Sequence, residues 1–494
     1  MPLTAAPSHR PRMEWVVTAL LALFLVTPIL ATKAEADLWG HLRFGLDLLR
    51  SRHVPLADPY SFTQDRPWIN HEWLSELAMG IAYTLAGVKG LIALKVGIII
   101  TGLLIVWRAL GPLHPLVRAG LTALMAWSSS ALWQTVRPQL WTWLFLIILV
   151  RVLQTRRRMW IIPPLFAVWV NLHGGWIVGA GILTAWCAVD ATEQFRRSRV
   201  IPWPTLLLPV ATAAATIVNP YGVELWTFLA TTVRTTRPDI VEWDPLWTTP
   251  IAIWLPYVVL LASAIAITAM PRTRPTWPMV AVLCVLAYGG GRVLRIAFLL
   301  GPGFVLVIGA ALRAMWPRER WNWVAPSRAA AALAFIPIAA ASFAVIVTLK
   351  PHLGKITLDD SYWVPDAAAM KALRESHASG RLVTAYNWGQ YAIWYLWPDL
   401  RVSYDGRRET VYSAATMQVH GAIYRGEPAG DEWLASVRPE YVWLPTERET
   451  RRRWLVQHGY RIDVETARSF IAVRNDLATV HASANAAMGG NVFP

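Results

Sequence analysis

Residues 36–76 read ADLWGHLRFGLDLLRSRHVPLADPYSFTQDRPWINHEWLSE and follow the first long apolar segment of the chain. The stretch contains the acids and histidines Asp37, His41, Asp58, His71, Glu72 and Glu76, together with a few others. The first 350 residues hold only 15 Asp and Glu against 30 Lys and Arg, so acidic groups are scarce around this loop. A loop that gathers them between apolar segments needs a functional or structural reason.

The composition predicts an α-helical polytopic membrane protein. Of 494 residues, 55% are hydrophobic and only 16% are charged. Apolar windows that predict about eleven spans lie near 14–31, 90–109, 113–133, 138–153, 159–171, 174–191, 202–219, 251–270, 277–289, 294–315 and 328–349. We interpret the first window as an uncleaved span, although a signal peptide is the alternative.

Basic clusters predict the orientation, because positive charge gathers on the cytoplasmic side of membrane spans. The clusters are Arg10/Arg12, Arg156–Arg158, Arg196/Arg197/Arg199, Arg272/Arg274 and Arg318/Arg320. They all fall on one side if Leu74–Gly87 lies in the outer interface, or re-enters the membrane, instead of spanning it. The N-terminus is then cytoplasmic, and the loop at 32–89 and the C-terminal domain are extracytoplasmic. The net charge of +15 belongs to this membrane part, so no nucleic-acid partner is needed to explain it.

The C-terminal part differs in character. Residues 351–475 alternate predicted strands and helices, which indicates a small soluble α/β domain after a membrane domain at 1–350. Residues 476–494 are predicted to be a disordered tail. Two motifs, Tyr386–Tyr391 and Ser403–Arg407, follow predicted strands, where α/β domains often bind ligands. Asp405-Gly406 is equally typical of a turn.

Within the loop, Asp37 lies where the chain leaves the first span. A carboxylate there could act as a general base, or it could cap the helix that follows. His41 is one helical turn further and could face the same site. Asp58 precedes Pro59 in a turn-like sequence.

His71 and Glu72 begin an amphipathic helix, whose first turn favours acids through the helix dipole. Together, Asp37, His41, His71 and Glu72 could bind a divalent cation, although their spacing is not diagnostic.

Other polar groups lie at predicted outer ends of spans. Arg137, Arg292 and Arg295 could hold a phosphate bidentately or anchor lipid head groups. His173, in the sequence Asn171-Leu172-His173-Gly174-Gly175, could contact a substrate or stabilise a tight hairpin.

The residues Asp37-Leu38-Trp39-Gly40-His41, the outer loop with Asp58–Thr63 and His71-Glu72-Trp73, and Asn171–Gly175 resemble bacterial GT-C superfamily membrane glycosyltransferases of the protein O-mannosyltransferase and aminoarabinose transferase group. The resemblance implies an inverting-type transferase in the cytoplasmic membrane. It would move a sugar from a polyprenyl-phosphate donor to a glycan, lipid or protein acceptor on the outer face. We accordingly expect catalytic roles for Asp37, His71 and Glu72, and substrate or phosphate contacts for the residues His41, Asp58, Arg137, His173, Arg292 and Arg295.

Two other classes of function stay open. A transporter or lipid flippase would need ionisable groups near the bilayer midplane, where Lys95 is the one clear charge within a span. A non-catalytic envelope assembly protein would tolerate the substitutions Asp37→Asn and Glu72→Gln.

Overall fold

The computed structural model of the chain describes residues 14–234, 240–320, 333, 335–358, 364–481 and 492–494. Its residues form two compact units. The first unit comprises residues 1–32, 92–222 and 234–354, and the second comprises residues 33–91, 223–233 and 355–494. The basic residues Arg10 and Arg12 lie outside the described residues, as does the start of the predicted last span.

The first unit is helical. Its helices are α1 (Glu14–Leu30), the later part of α3 (Trp73–Ala109), α4 (Pro115–Trp133), α5 (Gln139–Thr155), α6 (Ile162–Leu172), α7 (Trp176–Ser198), α8 (Trp203–Ala215), α10 (Ile251–Ala269), α11 (Trp277–Arg292), α12 (Leu294–Ala297), α13 (Leu300–Leu312) and α14 (Phe335–Leu349). Among the described residues, three segments are long and apolar enough to cross a bilayer, namely Trp73–Ala109, Ile251–Ala269 and Leu294–Leu312. The predicted multi-pass membrane character is therefore confirmed.

Small residues allow helices of the first unit to approach closely, as is common between membrane helices. Gly102 of α3 lies against the Trp143 ring of α5, and Gly179 of α7 lies against Trp169 of α6. Lys95 is fully buried and donates to Ala31 O at 3.0 Å and to Thr32 Oγ1 at 2.7 Å. The ammonium group thus satisfies polar groups just after the end of α1, which is a structural role for the charge within a predicted span.

The second unit contains a mixed five-stranded sheet of order β2-β1-β3-β5-β4. Its strands are β1 (Gly380–Thr384), β2 (Leu400–Val402), β3 (Tyr441–Pro445), β4 (Tyr460–Glu465) and β5 (Ser469–Arg474). Its helices are α2 (Leu38–Ser51), the first part of α3, α9 (Glu224–Arg234), α15 (Ala367–Glu375), α16 (Gly389–Leu396), α17 (Ala414–Arg425), α18 (Pro428–Val437) and α19 (Glu449–Gln457). Strand β1 pairs in parallel with β2 and β3, whereas β5 is antiparallel to β3 and β4.

Helix α3 is broken at Ala86 and Gly87, where the backbone is not helical. Gly87 adopts φ +57°, a left-handed conformation that favours glycine. The break coincides with the boundary that the sequence placed between the helix at 74–87 and the span beginning at 90. Before the break, α3 crosses α2 in backbone contact: a Cβ on Gly80 would lie 2.7 Å from the carbonyl carbon of Gly45.

The first loop folds together with the C-terminal segment, which the sequence did not predict. Ser61 forms a parallel bridge with Val402 beside the edge strand β2, and Phe62 N donates to Val402 O at 3.1 Å. Ile69 N donates to Thr410 O at 3.2 Å. Main-chain hydrogen bonds therefore extend the C-terminal sheet region with residues separated from it by more than 300 positions.

Some described residues of the tail that the sequence predicted to be disordered pack within the second unit. Val480 and Phe493 are buried, and the Phe493 ring packs against Trp39 and Trp394 at centroid distances of 5.2 and 6.2 Å. Aromatic burial of this kind holds Phe493 in place. Residues 482–491, on which the rest of that prediction falls, lie outside the described residues.

Candidate active site

Asp37 precedes the first turn of α2, yet its side chain makes no capping hydrogen bond to that helix. The carboxylate lies instead against Gly406 and Gln390 of the C-terminal segment. A Cβ built on Gly406 would lie 2.7 Å from Gln390 Nε2 and 3.2 Å from Asp37 Cγ, with Asp37 Oδ1 closer still. Helix capping therefore does not explain why position 37 is an aspartate.

The residues around Asp37 come from the carboxyl ends of two adjacent parallel strands. Tyr386 follows β1 and Gly406 follows β2, while Gln390 lies in the first turn of α16, which connects these strands. Because parallel strands joined by a helix end at the same edge of a sheet, the topology brings these groups together. The two motifs that the sequence singled out in the C-terminal domain thus meet beside the first-loop aspartate.

Tyr386 and Arg408 supply hydrogen-bonding groups near Asp37. The Arg408 guanidinium carbon lies 5.4 Å from the Tyr386 ring centroid. Burial and then the charge of Asp37 raise the pKa of Tyr386, so its hydroxyl stays protonated. Arg408 has φ +46°, a left-handed conformation that costs free energy for a residue with a side chain. Such backbone strain is frequent at functional sites.

His41 forms the centre of a second cluster. Its Nδ1 lies 3.0 Å from Glu76 Oε1, and Asn70 Nδ2 donates to the other Glu76 oxygen at 2.6 Å. Burial by itself lowers the pKa of His41, but the bond to Glu76 and the charges of Glu72, Glu76 and Asp37 outweigh burial and raise it to about 9. His41 is therefore a cation at neutral pH and is not a general base.

The crossing of α2 and α3 explains this cluster. Gly45 lies one helical turn after His41, and Gly80 lies one turn after Glu76, so the glycine contact aligns the two polar side chains. Glu72 completes the arrangement, with carboxylate oxygens 3.9 Å from His41 Nε2 and 3.8 Å from His71 Nε2. The structure thus brings together the predicted residues Asp37, His41, His71 and Glu72, and it adds Glu76.

The acids and histidines of this cluster were also candidates for divalent-cation ligands. Over the described ranges of the chain, no group of three or more His, Cys, Asp or Glu side chains is arranged to hold a metal ion. Glu76 uses both oxygens in bonds to His41 and Asn70.

Asp58, for which we expected a substrate contact, lies in a buried ion pair with Arg407. Its carboxylate is buried and accepts two bonds from Arg407, at 2.6 and 2.9 Å. It also accepts from Tyr60 N at 2.8 Å and from Ser61 Oγ at 2.5 Å. Arg407 in turn bonds to Asp405. Although burial acts in the opposite direction for both groups, their attraction and hydrogen bonds hold the pKa of Arg407 well above, and the pKa of Asp405 below, its ordinary value. Asp58 is committed to a structural ion pair, which the turn-like sequence did not show.

The first unit contains a separate arginine cluster. Arg137 Nη1 donates to Glu242 Oε1 at 2.9 Å, and Arg295 Nε lies 3.9 Å from the other Glu242 oxygen. Although burial acts in the other direction, the two arginines lower the pKa of Glu242. Two positive charges thus share one carboxylate, leaving a net positive site. Arg292 is exposed at the end of α11.

His173 has a local role in the hairpin between α6 and α7. Gly175 N donates to His173 Nδ1 at 3.1 Å, and Thr142 Oγ1 lies 2.7 Å from the same nitrogen. Thr142 also accepts from Trp169 Nε1 at 2.9 Å. These bonds favour the structural alternative for His173 over the substrate contact.

Two cavities lie away from these clusters. One, of about 560 Å³, is bordered by the apolar faces of α2 and α3 with Arg52 and His53, and the other, of about 490 Å³, lies beside α1 and α4. Neither includes a predicted site residue. The clusters of polar side chains, and not these two cavities, therefore identify the candidate site.

The sequence missed Glu76, Gln390, Tyr386 and Arg408 as individual site residues. Glu76 resembled an ordinary first-turn acid of α3. The other three lie in or next to the two strand-end motifs, whose position was the available signal.

No protein-family model matches the sequence, and no curated protein sequence matches it. Several solved structures, in contrast, are similar to the fold of this chain. The apo oligosaccharyltransferase of Archaeoglobus fulgidus superposes with a TM-score of 0.57 at 12% identity, covering 94% of this chain and 75% of that one. ArnT from Cupriavidus metallidurans, bound to undecaprenyl phosphate, gives 0.52 at 12% identity, covering 96% of this chain and 100% of that one. Its apo state gives the same score and identity, covering 93% and 97%.

These similarities define the fold of the chain. It is similar to the folds of this oligosaccharyltransferase and of ArnT, which supports the GT-C-like fold that the sequence predicted. At 12% identity the likeness concerns the fold, so the reaction has to be argued from the site.

Proposed function

We propose that the protein is an inverting glycosyltransferase that uses a polyprenyl-phosphate-linked sugar as donor. The observation that carries the proposal is the Asp37 carboxylate, which makes no capping bond to its own helix, lies against Gly406 and Gln390, and is close enough for its charge to raise the pKa of Tyr386. A carboxylate fixed among hydrogen-bond donors suits a general base, because its orientation is set before the substrate arrives.

In the proposed reaction, an acceptor hydroxyl oxygen attacks the anomeric carbon of the sugar. The bond from that carbon to the phosphate oxygen breaks, and its electron pair leaves with the lipid phosphate. Asp37 takes the acceptor proton. The positive charge of His41 interacts with the charge of the Asp37 carboxylate. Glu72 and His71 then act as supporting groups around His41.

The neutral Tyr386 hydroxyl and the Arg408 guanidinium are suited to sugar hydroxyls or to developing negative charge. Arg137 and Arg295 are suited to phosphate, since guanidinium groups bind phosphate oxygens in pairs. The structure of ArnT with undecaprenyl phosphate supports a lipid phosphate as the ligand class for this fold. The acceptor is a glycan, lipid or protein.

The membrane arrangement that goes with this function has about eleven spans in the cytoplasmic membrane, as the apolar windows predict. The N-terminus is cytoplasmic and the C-terminal domain extracytoplasmic, following the basic clusters. The membrane domain then comprises residues 1–350 and the soluble domain residues 351–475. Cysteine labelling from either side of the membrane tests this orientation.

The function is tested by incubating purified protein with a polyprenyl-phosphate sugar and measuring release of polyprenyl phosphate. We expect turnover by the wild type and a loss of at least about 100-fold in Asp37→Asn, in line with removal of a general base. Glu375→Gln, which alters an exposed carboxylate of the C-terminal segment, serves as the control and should retain turnover. Equal turnover in Asp37→Asn and wild type would exclude Asp37 as the general base. Adding a chelator to the same assay measures any use of a divalent cation.

A further inference from the structure

The turn after β2 reads Tyr404-Asp405-Gly406-Arg407-Arg408, and it is unusually well fixed. Arg407 donates through Nε to Asp405 Oδ1 at 2.9 Å and through Nη2 to Asp405 Oδ2 at 2.7 Å. Tyr412 donates to Asp405 Oδ2 at 2.8 Å. All three side chains are buried, so the bonds are shielded from water and hold the turn in one conformation.

The same arginine ties the turn to the first loop. Arg407 bonds Asp58 with both Nη atoms, at 2.6 and 2.9 Å, and its guanidinium carbon lies 4.9 Å from the Trp68 ring centroid. Asp58 and Trp68 both belong to the loop that starts with Asp37. Arg407 therefore bridges two acidic residues, one on the turn and one on the loop.

Gly406 lies between Asp405 and Arg407 in sequence, and it contacts Asp37. The side chain of any larger residue at 406 would overlap the Asp37 carboxylate and the Gln390 amide, not a neighbouring backbone. Gly406 is not among the glycines with positive φ, so alanine at this position introduces no backbone strain. The absence of a side chain at 406 thus serves the placement of Asp37.

We propose that the turn Asp405-Gly406-Arg407 is a positioning device for Asp37, in which Arg407 and Asp58 clamp the turn and Gly406 sets the place of the carboxylate. The inference deepens the proposed function and rests on it for the role of Asp37. It makes the C-terminal domain a part of the catalytic site instead of a separate binding module. Gly406, Asp58 and Arg407 are positioning residues, since they act through Asp37.

The test uses Gly406→Ala in the full-length protein. We expect kcat to fall by at least about tenfold with the donor KM close to that of wild type, because the base is displaced while donor contacts stay. Gly421→Ala is the matched control: it lies in α17, and an added Cβ would meet only the flexible end of Arg425. Wild-type kcat in Gly406→Ala would overturn the proposal.

A stability cycle separates this inference from the proposed function. If Gly406 touches the Asp37 carboxylate, Gly406→Ala lowers Tm by about 2–4 °C in the wild type but less in Asp37→Ala, where the methyl group has room. If the Tm changes caused by Gly406→Ala and Asp37→Ala are additive, the inference is overturned, whatever the catalytic activity of the variants. A wild type without donor turnover would refute the proposed function, whereas non-additive stability would still support the contact.

The clamp is tested with Arg407→Lys, which keeps the charge but cannot reach both carboxylates in the same way. A positioning role predicts a lower kcat at unchanged donor KM in the folded fraction. Unchanged kcat in correctly folded Arg407→Lys would show that the clamp serves stability alone and would overturn its positioning role.

Discussion

Arg407 and Asp58 are 349 residues apart in sequence and form a buried bidentate ion pair, with N–O distances of 2.6 and 2.9 Å. The pair joins the first loop to the turn after β2. An ion pair without water around it depends on both partners, because the remaining charge is left buried when one is removed. The candidate site therefore depends on contacts between distant parts of the sequence.

Removal of one partner of this pair is expected to be costly. Asp58→Ala should lower the free energy of unfolding by about 3–5 kcal/mol, because it leaves the Arg407 charge buried with one carboxylate instead of two. Glu427→Ala, which breaks an exposed pair with Arg425, should cost much less, because water screens the attraction between the two groups. Denaturant or thermal unfolding of the purified variants measures both. Equal losses in the two variants would contradict the structural role of Asp58.

Stability should depend on pH through His41. Its pKa is raised from 6.5 to about 9 in the folded protein, so its contribution is complete below about pH 6.5 and is lost as the pH rises through 9. The contribution is worth about 3 kcal/mol at most. Tm measured from pH 6 to pH 10 should therefore fall more steeply in the wild type than in His41→Gln. His53→Gln, which alters an exposed histidine, should keep the wild-type profile. Identical profiles for His41→Gln and wild type would contradict the ion-pair cluster.

The crossing of α2 and α3 should tolerate no side chain at Gly45. A Cβ there would overlap the Glu76 carbonyl, a backbone atom that cannot turn away, so Gly45→Ala should destabilise by about 1–3 kcal/mol or more. It should also separate His41 from Glu76 and flatten the alkaline loss of stability. Gly97→Ala in α3 is the control, since an added Cβ there has no atom within 4 Å. A Gly45→Ala protein as stable as Gly97→Ala would show that the helices do not cross in contact.

The arginine cluster should govern affinity for polyprenyl phosphate. Arg295→Ala removes one of the two charges near Glu242 and should weaken binding by about tenfold. Glu242→Gln should strengthen it several-fold, because the carboxylate neutralises the arginines that would hold the phosphate. Titration of purified protein with undecaprenyl phosphate measures both effects, with the exposed Arg313→Ala as control. Weaker binding in Glu242→Gln would contradict this arrangement.

The sequence alone determined the features that depend on local pattern. Apolar windows predicted a helical membrane protein, and the helix break at Gly87 fell at the predicted boundary. Alternating predicted strands and helices indicated an α/β domain in the C-terminal part, where the structure has a five-stranded sheet. These results follow because burial in a bilayer and strand or helix periodicity are read from neighbouring residues.

Only the tertiary structure decided which polar residues act together. It joined Asp58 to Arg407 and placed Asp37 against Gly406, although the two residues of each pair are distant in sequence. From the sequence alone, Asp58 resembled a turn residue and Asp37 resembled a helix cap. It also showed that His41 bonds to Glu76 where α2 and α3 cross at Gly45 and Gly80. No local sequence pattern predicts this crossing. The physical reason is that charge pairing and close packing depend on distances across the fold, whereas the sequence fixes distances only within a few residues along a helix or strand.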